Sequence, residues 1–146
     1  MTYGDVPRLA LGALFVGAGV LHLVRPDVYL VAMPPDLPAP RALVLLSGVA
    51  EVAGGVGLWL PEGRWRRRAG VGLVALLVAV YPANVHMAMA GVGGPAWALW
   101  ARLPLQGVLV AWALRSSGAL GGAGGYSTVA NVPGQASRAR SRSAGA

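Results

Sequence analysis

The sequence predicts an all-α protein, a four-helix transmembrane bundle. Three observations carry that expectation. Hydrophobic residues make up 55% of the 146 residues and charged residues only 12%, against about 25% charged in an ordinary soluble domain. Four apolar runs, at 7–24, 41–60, 69–90 and 96–115, are each long enough to cross a ~30 Å hydrocarbon core at about 1.5 Å per residue. The breaks between those runs are rich in proline, glycine and arginine, which end helices or favour water.

The elements follow in order. Asp5 followed by Pro7 reads as an N-cap with a first-turn proline, opening the first span. That run lacks a small-x-small cleavage pattern before "RPDVYL", so it is expected to stay as a span rather than be removed as a leader. Pro40 and Pro61 bracket the second span, and Gly91, Gly93, Gly94 and Pro95 separate the third from the fourth. The connection "RPDVYLVAMPPDLPAP" reads either as an interfacial turn capping the bundle mouth or as a stiff linker. Residues 1–115 form the span domain. The Gly-, Ser- and Arg-rich tail, 116–146, cannot bury a core and is expected to be disordered, with "SRARSRS" solvated or touching anionic headgroups.

Charge sets the orientation. The net charge is +7, and every basic side chain is arginine. Arg8, Arg64, Arg66, Arg67, Arg68, Arg115, Arg138, Arg140 and Arg142 lie on one side of the spans, and only Arg25 and Arg41 on the other. By the positive-inside rule both termini are cytoplasmic. Trp59, Trp65 and Trp112 then fall near the inner interface, and Trp97 and Trp100 near the outer one. Arginines at the ends of apolar runs indicate a lipid partner rather than nucleic acid. The chain has no cysteine, which excludes disulfides, thiol nucleophiles and CxxC redox chemistry.

The second span carries a carboxylate, Glu51, near mid-bilayer. An acidic group there costs about 2.5–3.5 kcal/mol on insertion scales, which the surrounding leucines and valines offset without much surplus. Glu51 is therefore expected to face the bundle interior, protonated or paired. Ser47, Glu51, Gly54, Gly55 and Leu58 share one helical stripe of mostly small and polar residues, and Gly12, Ala18, Gly19 and His22 share a face of the first span. Ala75, Ala79 and Ala83 suggest a small-residue packing edge on the third. The other polar residues of the spans, His22, Asn84, His86, Arg102 and Gln106, all fall in the outer half with Glu51. Arg102 is the natural counter-charge, and the two are expected to pair directly or through Gln106 or His22. Pro82 and Pro104 free the carbonyls of Val78 and Trp100, and kinks there would open a pocket to the outside, with Asn84 or water satisfying the freed groups. His22, His86 and Glu51 do not stand at metal-ligand spacing, so no metal is expected. No phosphate-cradling glycine loop and no nucleophile elbow is present, and the sequence leans away from a self-contained enzyme.

"GVLHLVRPDVYLVAMPPDLPAP", "LSGVAEVAGGVGLWLP" and "AVYPANVHMAM", in that order, resemble the DoxX-like family of small bacterial membrane proteins over about residues 10–115. By that likeness His22, Pro26, Pro34, Ser47, Gly48, Glu51, Pro82 and Asn84 occupy recurrent motif positions. The resemblance implies a compact four-helix bundle in the bacterial cytoplasmic (inner) membrane. It also implies an accessory or ligand-binding subunit in redox or oxidative-stress physiology, with a membrane or peripheral oxidoreductase as partner. No cofactor is evident in the residues, and a quinone is the ligand the likeness suggests. The alternatives from other classes are a small proton-coupled transporter using Glu51, or a structural scaffold.

Overall fold

The computed structural model describes residues 5–119, whose regular structure is entirely helical. The helices are α1 (Asp5–Val24), α2 (Pro26–Leu30), α3 (Pro40–Trp59), α4 (Arg64–Ala90) and α5 (Ala96–Ser117). All but α2 are long and apolar enough to cross a membrane. The protein has the architecture of a multi-pass membrane bundle. The arginines of "SRARSRS" lie outside the described residues.

The helix limits follow from local chemistry. Gly91 (φ 67°) and Gly118 (φ 72°) end α4 and α5 in the left-handed conformation, where any other residue would carry a steric penalty. α4 begins at Arg64, five residues before the apolar run at 69. Arginine is a good helix former, and its long stem carries the charge out of the apolar zone while the backbone stays helical. Pro26 opens α2, because a first-turn proline gives up no hydrogen bond.

Successive long helices run antiparallel, α1 on α3, α3 on α4 and α4 on α5, with α1 and α3 the closest pair. At one end Arg8 donates to the Leu58 carbonyl at 2.6 Å, and the Trp59 indole N–H donates to the Leu9 carbonyl at 3.1 Å. Gly70 of α4 meets Ser117 of α5 at the same end. This is the arginine end. Above it Leu11, Phe15, Leu58, Leu73, Leu77 and Ala113 form an apolar core drawn from all four long helices. At the opposite end a smaller cluster of Met87, Ala88 and Leu99 is covered by Ala32, Val92 and Leu103. The first part of the connection, through Ala32, therefore covers the bundle there, while residues 35–40 stay exposed.

The alanine edge of the third span does not pack as the sequence suggests. Ala75 and Ala79 are exposed, and α4 turns Gly70, Leu73 and Leu77 inward. A helix that is apolar all round gives no polar face from which to read its rotation. Here Ala75 and Ala79 lie on the outside, while Ala69, Gly70, Leu73 and Leu77 make the contacts.

Candidate functional site

The site is built on a glycine seam between α1 and α3. Gly12 and Gly19 stand seven residues apart on α1, and Gly48 and Gly55 stand seven apart on α3. A Cβ on Gly19 would lie 2.5 Å from the Gly48 carbonyl oxygen, and one on Gly55 would lie 2.7 Å from that of Gly12. Both are closer than real Cβ contacts allow, so only glycine permits this approach. Each inner glycine also seats the polar residue of the opposite helix. A Cβ on Gly48 would meet His22 Cβ at 2.8 Å, and one on Gly19 would meet Glu51 Cβ at 2.9 Å.

The seam brings together two side chains that lie at different depths along their own helices. With Gly19 opposite Gly48, His22 and Glu51 are offset by six residues, about 9 Å along the axes. Side chains lean toward their own helix N-terminus. In an antiparallel pair those leans converge, and they close the gap. His22 Nδ1 lies 3.0 Å from Glu51 Oε2 and 2.9 Å from the Ala18 carbonyl oxygen. One ring hydrogen cannot serve both acceptors well. The Ala18 carbonyl is the better aligned, so Glu51 Oε2, which is covered from solvent, keeps only a shared and poorly aligned contact with the ring. The two side chains keep 16% and 15% of their exposure, so the pair is covered but not closed off.

Tyr29 of α2 completes the group. Its ring stacks on His22 with centroids 3.7 Å apart and planes 21° apart. Burial pushes its phenol above the usual tyrosine range, the Glu51 charge adds to that, and Arg102 opposes it. Buried Pro26 folds the chain back so that α2 lies over the end of α1. Sequence reasoning missed Tyr29. The available signal was a tyrosine seven residues after the histidine, with a proline turn between them.

The six polar residues proposed from sequence separate into distinct groups. His22 and Glu51 meet. Asn84 Nδ2 donates to Gln106 Oε1 at 2.9 Å, and Gln106 Nε2 donates in turn to the Leu77 carbonyl. Gln106 is only 5% exposed and links α4 to α5 at the level of Pro82. Gln106 thus bonds the Leu77 carbonyl, one residue before the Val78 carbonyl that Pro82 frees, and Asn84 turns to Gln106 rather than to the backbone. Arg102 is exposed and points an N–H toward the Met87 sulfur at 3.9 Å, so it makes no direct pair with Glu51 and its influence reaches Tyr29 only through space. His86, two residues beyond Asn84, is half-buried on another face of α4. Among the described residues no three His, Asp or Glu side chains converge as metal ligands. Ser47 turns back to its own helix, donating to the Val44 carbonyl at 2.8 Å.

A groove of about 350 Å³ lies beside Pro82, between α4 and α5, and Pro104 does not line it. It is lined by Leu77, Tyr81, Pro82, Leu103, Gln106 and Val110, among others, and Glu51 takes no part in it.

The profile of one family, described as a domain of unknown function (DUF8561), matches residues 11–117. The chain belongs to the DUF8561 family. The matched stretch takes in both glycine pairs, His22, Tyr29, Glu51 and the Asn84–Gln106 link, so the whole site lies inside the family's domain. No curated protein and no solved structure matches the chain.

Proposed function

We propose that the protein is a DoxX-like accessory subunit of the bacterial cytoplasmic membrane, with both termini inside. In this reading it holds a small hydrophobic ligand at His22, Tyr29 and Glu51 for a redox partner. The carrying observation is the buried Glu51 oxygen, whose donor within reach among the described residues, His22 Nδ1, is shared with the Ala18 carbonyl. Such a group is costly to leave unmade, and a ligand hydroxyl would supply the donor. A hydroquinone-type ring fits the chemistry: a phenolic O–H for Glu51, with an aromatic face toward the stacked His22–Tyr29 pair. Three of the positions on which the DoxX-like resemblance rests, His22, Gly48 and Glu51, converge at this point.

The same observation weighs against a scaffold, for which a fully satisfied pair is expected. The apolar core between Glu51 and the arginine end weighs against a proton-coupled carrier, because it offers no polar relay.

Titration of the detergent-purified protein with a short-chain hydroquinone, followed by calorimetry, tests the reading. Saturable binding is expected, and Glu51→Gln should weaken it about tenfold or more, the worth of a charge-assisted hydrogen bond. Arg115→Gln, at the other end of the bundle, should bind like the parent. Equal affinity in Glu51→Gln would remove the proposal.

A further inference from the structure

We infer that the α3–α4 face at the arginine end is a binding site for one anionic phospholipid, independent of the His22–Glu51 site. A groove of about 380 Å³ runs between these helices. Ala50, Ala53 and Gly72 form its open wall, and Leu60, Trp65 and Arg68 stand at its mouth. Along α3 it extends from Ala50 to Leu60, ten residues or about 15 Å. That is half of a ~30 Å hydrocarbon core, the depth that one lipid tail occupies in one leaflet.

The mouth suits a phosphate. The guanidinium carbons of Arg64 and Arg68 lie 5.1 and 5.0 Å from the Trp65 ring centroid, so the indole holds both cations in place. Arg64, Arg67 and Arg68 are exposed, and among the described residues the neighbouring carboxylate, Glu62, is taken by Arg66 at 3.3 Å. Planar guanidinium forks match phosphate oxygens in pairs. The groove and the cations are therefore continuous: an apolar slot one leaflet deep that ends in an unneutralised basic cluster beside an interfacial tryptophan. A phospholipid with a net negative headgroup has both complements in one molecule. A zwitterionic lipid brings a second cation that the cluster repels.

The test is native mass spectrometry of the full chain, released from mild detergent after equilibration with phosphatidylglycerol or with phosphatidylcholine. One phosphatidylglycerol molecule should stay bound, and phosphatidylcholine should be lost. Arg68→Gln should weaken retention about fivefold. Gly72→Leu fills the slot without changing charge, and its Cβ would meet nothing within 4 Å, so the helix contacts around it can stay in place. It should release the lipid as well, as should Ala53→Leu on the facing wall. Arg41→Gln, at the opposite end, should behave like the parent. Unchanged retention in both slot-filling variants, or equal retention of the two lipids, would overturn the site and leave only a diffuse positive face.

Discussion

The α1–α3 and α4–α5 pairs are made from similar apolar sequence and pack in opposite ways. Glycine at heptad spacing lets α1 and α3 touch backbone to backbone, and the polar pair His22–Glu51 is clamped where they touch. In α4 and α5 the prolines Pro82 and Pro104 stand inside the helices, a groove opens between them, and a side-chain link, Gln106 to Asn84 and to the Leu77 carbonyl, bridges the two. In lipid, helix association comes from close packing and interhelical hydrogen bonds rather than from hydrophobic burial. At mid-helix the molecule relies on glycine packing between α1 and α3 and on a side-chain link between α4 and α5.

The largest effect should come from breaking the seam. Gly48→Leu drives a side chain into the Gly19 carbonyl and the His22 Cβ, and backbone cannot yield as a flexible side chain would. Overpacking of this kind costs about 3 kcal/mol or more, enough to remove the folded, monodisperse species in fluorescence-detected size exclusion. Gly17→Leu, on the same helix as Gly19 but with nothing within 4 Å of its Cβ, should fold like the parent or better. Equal damage from both would mean that the seam is not what joins α1 to α3.

A smaller loss is expected on the other side. Gln106→Leu keeps the volume but removes the bond to the Leu77 carbonyl and strands the Asn84 amide, at about 1–2 kcal/mol in a denaturant titration. A loss matching that of Gly48→Leu would show the α4–α5 link to be as decisive as the seam.

How much of this was legible in the sequence depends on which property sets it. The four spans were readable because bilayer thickness fixes their length. Their ends were readable where glycine or proline marks them, and the start of α4 was missed because arginine continues a helix after hydrophobicity has stopped. The polar cluster was harder. Counting depth from helix ends sets His22 near the surface and Glu51 near the middle, which favours long Arg102 as the counter-charge and leaves His22 as a go-between. Depth along one helix says nothing about the register between two. The Gly19–Gly48 crossing sets that register, and the opposed leans of the side chains do the rest. Tyr29 was missed for a similar reason: its spacing from His22 is visible, but its place depends on how a proline turn folds back in three dimensions.

That correction can itself be measured. A double-mutant cycle on Glu51→Gln and His22→Gln should show a coupling of about 1 kcal/mol, while Glu51→Gln with Arg102→Gln should be additive within about 0.5 kcal/mol. Coupling to Arg102 instead of His22 would restore the pairing that depth alone suggested.

The smallest effect concerns Tyr29, where the two ends of the polar group act against each other. Burial and the Glu51 charge raise its folded-state pKa above the unfolded value near 10, and Arg102 pulls it back. A raised folded pKa means that this tyrosine's contribution to stability is complete below about pH 10 and is lost as the pH climbs past that value through the folded pKa. In an ultraviolet titration, the difference between the parent and Tyr29→Phe should therefore show one phenol ionising later than a free tyrosine. Arg102→Gln should delay it further, because the opposing charge is gone, and Glu51→Gln should bring it forward. A Tyr29 that titrates at the free value in all three backgrounds would mean that α2 does not lie over the glycine seam, and the aromatic part of the candidate site would go with it.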